Sequence, residues 1–124
     1  MGDLNSHLSV LIVDDEEFVR ETLADMITEF DHNVTQVASG AEALEAVSNN
    51  RFDMVITDLS MPEMDGWQVA RAIRERMADA QIVLVTGYGT TVEPPAGGEN
   101  LIDLMISKPF DFACIADLLE NAGR

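Results

Sequence analysis

The stretch "VITDLSMPEMDGW" occupies residues 55–67. Val55 and Ile56 lead into Thr57, all residues that favour strands, and the next residue is a carboxylate, Asp58. Met61-Pro62 and Asp65-Gly66 follow at once as turn formers. The stretch therefore reads as a buried strand that ends in a charge and breaks into a turn. A charge at the edge of a core is costly unless something pairs with it. The fold must bring a partner to Asp58, or the chemistry must use the acid, or both.

Outward from this strand, the hydrophobic pattern alternates. Leu8 to Val13 reads as a strand, and Glu16 to Phe30 as a helix with Phe18, Val19, Leu23, Met26, Ile27 and Phe30 near one face. Val34 to Val37 is a short strand. Ser39-Gly-Ala-Glu42 has the form of a capping box and opens a helix carrying Leu44 and Val47. Asp53 to Thr57 is the third strand. Asp65-Gly-Trp-Gln68 is a second capping box, opening a helix through Met77. Gln81 to Val85 is the fourth strand and Leu101 to Ile106 the fifth. Asp111 is placed to cap a last helix whose Phe112, Ile115, Leu118 and Leu119 point inward. Strand and helix alternate, and the strands are almost continuously apolar, which suits a parallel sheet covered on both faces. The reading is one α/β domain over residues 1–124, with a core from about residue 8 to 121. Its sheet is doubly wound and flavodoxin-like, with five strands in the order 2-1-3-4-5.

One unit breaks the alternation. A helix is due between the fourth and fifth strands, yet residues 87–100 read GYGTTVEPPAGGEN. Gly costs a helix interior about 1 kcal/mol and Pro about 3. The fourth helix is therefore expected to be degenerate, a loop or one turn, and the ordering of residues 87–100 to be the most available bistable element.

Composition narrows the function. The 124 residues hold 23 acids against 7 bases, a net charge of −16, which argues against direct binding to nucleic acid or anionic lipid. No apolar run approaches the roughly 20 residues that span a bilayer. No secretory signal is visible, and Cys114 is the only cysteine, so no internal disulfide forms and a buried structural thiol is its ordinary reading. His7 and His32 have no spacing partner for zinc. These features fit a reducing cytoplasm.

Parallel strands put their C-terminal ends on one edge. After the first strand come Asp14 and Asp15, after the third Asp58, after the fourth Thr86, and after the fifth Lys108-Pro109. In the order 2-1-3-4-5 the first and third strands are neighbours at the switch point, where ligands bind. The three aspartates then converge, and Thr86 and Lys108 arrive from the far side. Three carboxylates so close repel one another unless a cation lies between them. Oxygen donors with open positions suit Mg²⁺. With a metal beside it and an ammonium opposite, Asp58 is set to attack and hold a transferring phosphoryl group. Taken alone, Asp14-Asp15 reads equally well as a helix cap, and Thr86 or Lys108-Pro109 alone says little; the joint placement carries the reading.

These residues resemble a family. Asp14-Asp15 in "LIVDDEE", Asp58 in "MVITDLSMPEMDGW", Thr86 in "IVLVTG" and Lys108 in "SKPF" are together similar to the receiver domains of two-component response regulators, over nearly the whole chain. "TG-aromatic-G" loops are similar to those of receivers attached to sensor kinases. The resemblance implies that Asp58 accepts a phosphoryl group from the phosphohistidine of a histidine kinase or histidine phosphotransfer protein, and that the domain switches conformation to control a partner, without being a turnover enzyme. It implies Mg²⁺ held by Asp15, Asp58 and the Ser60 backbone carbonyl, with Asp14 acting largely through water. It implies that Thr86 hydrogen-bonds the phosphoryl group, that Lys108 pairs with it, and that Ser60 and Tyr88 govern access of hydrolytic water. Many receivers carry an aromatic ring where this chain has Met105, so a rotating ring is not expected here.

Three other readings compete. An aspartyl phosphatase would need room for a cap and usually an Asp-x-Asp, whereas Leu59-Ser60 follow Asp58. A nucleotide or flavin binder on the same fold would need a Gly-rich loop after the first strand, where "VDDEE" would repel phosphate. A degenerate receiver acting as a scaffold would have lost part of the five-residue site.

Overall fold

The computed structural model describes residues 7–87, 92–98 and 100–121. The chain runs β1 (Ser9–Val13), α1 (Glu17–Glu29), β2 (Asn33–Val37), α2 (Gly40–Asn49), β3 (Met54–Asp58), α3 (Gly66–Arg76), β4 (Gln81–Thr86), β5 (Leu104–Ser107) and α4 (Phe112–Asn121). The five strands are parallel in the order β2-β1-β3-β4-β5, as expected from the sequence.

The central strands are buried on both faces because every position is apolar or has its polar group at the end. One face, with Leu11, Val13, Val55, Ile82 and Leu84, packs against α2 and α3. The other, with Val10, Ile12, Ile56, Val83 and Val85, packs against α1 and α4. The edge strands are short and more exposed.

The caps explain where the helices begin. Asp65 and Gln68 form the reciprocal box at the start of α3. At α2 only half of the expected box forms: Ser39 accepts the Glu42 N–H at 3.1 Å, but Glu42 reaches past Ser39 to accept from the Ala38 N–H at 2.8 Å. Asp111 Oδ1 accepts from the Cys114 N–H at 2.9 Å, as the sequence predicts.

Two inward placements fail. Phe18 is 82% exposed. Side chains turn about 100° per residue, so Phe18 lies on the side of α1 opposite Ile27, while Leu23, Ala24 and Ile27 form the buried stripe. Phe112 is half exposed and stacks on Phe30, ring centroids 4.8 Å apart, joining α4 to α1 outside the core.

The fifth strand starts later than the expected Leu101, at Leu104. Leu101 instead drops into the core on the α2/α3 side. Arg74 of α3 fixes this crossing: its guanidinium donates to the Leu101 carbonyl at 3.0 Å and to Asp103 Oδ2 at 2.9 Å. Among the described residues between β4 and β5 no helix forms. A turn ties the Gly98 N–H to the Pro95 carbonyl at 2.8 Å, and Val92 packs against the core beside Leu101. The rest of the expected bistable segment, residues 88–91 and 99, lies outside the described residues. Among the described residues no helix is long and apolar enough to cross a membrane.

Candidate functional site

β1 and β3 pair side by side, so the residues ending them come together at one edge of the sheet. Asp14 follows Val13 directly. Asp58 is the last residue of β3 rather than the first of the loop, paired with Val85. Both are buried, while Asp15 is exposed. One carboxylate oxygen from each of Asp14, Asp15 and Asp58 lies within 4.8 Å of the others.

β5 delivers the cation. The Lys108 N–H donates to the Thr86 carbonyl at 2.8 Å, which extends the β4–β5 ladder by one step. The Lys108 Nζ then sits 3.4 Å from Asp58 Oδ1 and 3.8 Å from Asp14 Oδ2. Thr86 is buried at the same edge, and its hydroxyl donates to the Ile106 carbonyl over 3.4 Å, near the long limit for such a bond. Ser60 is exposed two residues beyond Asp58, and Tyr88 lies outside the described residues. Met105, half exposed on β5, is where an aromatic ring was not expected to act.

Two residues of this edge are not evident in the sequence pattern. Glu16 Oε1 lies 3.2 Å from the Lys108 Nζ. Arg20, one turn along α1, donates to the Asp14 backbone carbonyl at 2.8 Å and so fixes the loop that presents the acids. Their one sequence signal is position: Glu16 follows the acidic pair directly and Arg20 stands four residues later.

Gly66 closes the floor. Its N–H donates to the Leu59 carbonyl at 2.9 Å. A Cβ there would stand 2.6 Å from the Asp58 carbonyl oxygen and from Leu84 Cδ1, and 2.9 Å from Leu59 Cα. Only glycine lets α3 approach the end of β3 this closely.

The electrostatics follow from the geometry. Burial, reinforced by the Asp14 carboxylate, pushes Asp58 up to about 6, against the opposing pull of Lys108. Burial also raises Asp14, although the Glu16 N–H and Lys108 favour its charged form. Burial alone would lower Lys108, but Asp14, Asp58 and Glu16 outweigh it and hold the ammonium above its usual range. The site carries more negative charge than one lysine neutralises. Its donors are all oxygens, the set that a hard divalent cation such as Mg²⁺ takes.

A stability prediction arises here. Between about pH 4 and 6, folded Asp58 retains a proton that the unfolded chain has released, so rising pH through this window destabilises the fold. The upward shift corresponds to a penalty of about 3 kcal/mol above pH 6. Without divalent cations, Asp58→Asn should therefore be more stable than wild type at pH 7.5 by about 3 kcal/mol, with the gain gone near pH 4. Urea unfolding at both pH values measures it, and equal midpoints at pH 7.5 would contradict it.

Comparison with known proteins gives a consistent result. The sequence pattern described as the response regulator receiver domain matches residues 10–120. The chain is 36% identical over 101 residues to the response regulator MprA of Mycobacterium sp. (strain KMS), covering 82% of this chain and 44% of that protein. It is 32% identical over 108 residues to the sensor histidine kinase RcsC of Salmonella typhimurium, covering 87% of this chain and 11% of that protein. The chain thus spans less than half the length of these relatives. Among solved structures, the chemotaxis protein CheY4 of Vibrio cholerae superposes with a TM-score of 0.84 at 26% identity, covering 94% of this chain and 98% of that one.

Proposed function

This chain belongs to the response regulator receiver domain family, and on that premise we propose that Asp58 accepts a phosphoryl group from the phosphohistidine of a histidine kinase or histidine phosphotransfer protein. A receiver is a signalling domain rather than a classical enzyme. The observation that carries the proposal is the approach of the Lys108 Nζ to within 3.4 Å of Asp58 Oδ1, beside Asp14 and Asp15.

The residues divide the work as follows. An oxygen of the Asp58 carboxylate attacks phosphorus. The P–N bond of the donor breaks, and its electron pair stays on the imidazole nitrogen, which takes up a proton. Asp58 is set near 6 by burial, so it is mostly ionised and nucleophilic at neutral pH. Lys108 stands where its ammonium faces the charge that builds on the transferring oxygens. The Thr86 hydroxyl, held among the described residues by a long bond to Ile106, can turn toward a phosphoryl oxygen. Burial of Asp58 leaves it open only from the strand edge, which excludes bulk water from most directions. Asp14, Asp15, Asp58 and the Ser60 carbonyl would hold Mg²⁺, which when bound supplies charge neutralisation for the acids and the phosphoryl oxygens. Hydrolysis reverses the modification: water attacks phosphorus and the Asp58 carboxylate leaves. The added charge at the strand edge then alters the surface that a downstream partner meets.

Intact-protein mass spectrometry after incubation with acetyl phosphate and Mg²⁺ tests the reading. The expected result is one phosphoryl group per chain, lost when Mg²⁺ is chelated beforehand. No modification under these conditions would overturn it.

A further inference from the structure

Glu16 occupies the N-cap of α1, yet its side chain makes no capping hydrogen bond. Short side chains such as Ser, Thr, Asp and Asn are favoured there because they reach back to the helix. The Glu16 carboxylate reaches across the site instead. At 3.2 Å from the Lys108 Nζ it is nearer than Asp58 at 3.4 Å or Asp14 at 3.8 Å. The Glu16 N–H meanwhile donates to Asp14 Oδ1 at 2.9 Å. Glu16 is thus joined to both Asp14 and Lys108, and its own side chain is mostly in solvent while theirs are largely covered.

We infer that Glu16 is a positioning residue that draws the Lys108 ammonium toward the rim of the site while Asp58 is unmodified, and so opposes the phosphorylated form. The inference rests on Asp58 being the acceptor. A phosphoryl group brings between one and two negative charges and three strong acceptors. Lys108 has three donors but one positive charge. If the ammonium turns to the phosphoryl oxygens, the Glu16 pair is given up. If it keeps Glu16 as well, a carboxylate is held beside a new anion, which repels it. Both arrangements favour the unmodified state. Exposed ion pairs are weak, so the effect is a modest one, about two- to fivefold in the affinity for a phosphoryl mimic.

The test is titration of the full chain with beryllofluoride at saturating Mg²⁺, followed by amide NMR shifts. Glu16→Gln should bind about two- to fivefold tighter than wild type. In a Lys108→Met background the same substitution should change nothing, because the pair it breaks is already absent. Equal affinity of Glu16→Gln and wild type would overturn the inference while leaving the acceptor reading intact. A gain of the same size in the Lys108→Met background would also overturn it, since Glu16 would then act by its charge alone. If wild type shows no binding that Asp58→Asn removes, the acceptor reading falls, and the inference falls with it.

Discussion

Asp58→Ala is expected to take up no phosphoryl group at all from acetyl phosphate and Mg²⁺, whereas wild type takes up one. The loss is complete because the substitution removes the buried carboxylate that stands nearest the Lys108 ammonium at this edge of the sheet. Asp14 is buried but its Oδ1 accepts from the Glu16 N–H at 2.9 Å, and Asp15 is exposed in the bend after β1, whereas Asp58 Oδ1 lies 3.4 Å from the Lys108 Nζ. Asp15→Ala should also lose phosphorylation, and for a different reason: it leaves the nucleophile but removes one of the three carboxylates that converge. Because Asp15 is exposed, that variant should unfold at a urea concentration close to wild type. Intact mass and urea unfolding on the same samples separate the two effects. Full phosphorylation of Asp15→Ala would remove it from the metal site, and residual phosphorylation of Asp58→Ala would place the acceptor elsewhere.

Gly66→Ala should cost about 3 kcal/mol or more, the upper range for forcing an extra carbon into a packed region. The atoms a Cβ would strike are mostly ones that cannot yield. The Asp58 carbonyl at 2.6 Å and Leu59 Cα at 2.9 Å belong to the backbone, and Leu84 is fully buried. To relieve the contact, α3 must retreat from β3, which breaks the Gly66 N–H bond to Leu59 and loosens the packing of Trp67, Val69 and Ala70. Because the strained end of β3 is Asp58 itself, any folded fraction should also accept phosphoryl groups more slowly. Chemical unfolding gives the first result and a time course of acetyl phosphate labelling the second. An unfolding midpoint matching wild type would show that α3 can shift without penalty.

Much of this protein is settled by the sequence alone. The runs of β1, β3 and β4 carry polar residues only at their ends, so they suit the inside of a parallel sheet covered on both faces, for which 2-1-3-4-5 is a common doubly wound order. The positions of Asp14, Asp15, Asp58, Thr86 and Lys108 relative to their strands are local facts, and a parallel sheet converts them into one edge. The two prolines and four glycines in residues 87–100 likewise forbid a regular helix on local grounds.

Other features were decided only by the tertiary structure. Phe112 is apolar at helical spacing, but whether such a residue meets the core depends on how its helix docks, and it fell half outside; the exposure of Phe18, opposite Ile27 on α1, follows instead from the helical turn itself. Leu101 and Ile102 continue an apolar run that reads as strand. The grip of Arg74, 27 residues earlier, turns the chain there and delays β5 to Leu104. Glu16 looks like one more surface acid among 23 until the fold sets it across from Lys108, 92 residues away. Periodicity and turn chemistry act over a few residues and are written in the sequence. A side chain's partner, and hence its charge state and its role at the site, depends on which distant segments packing brings within a few ångströms.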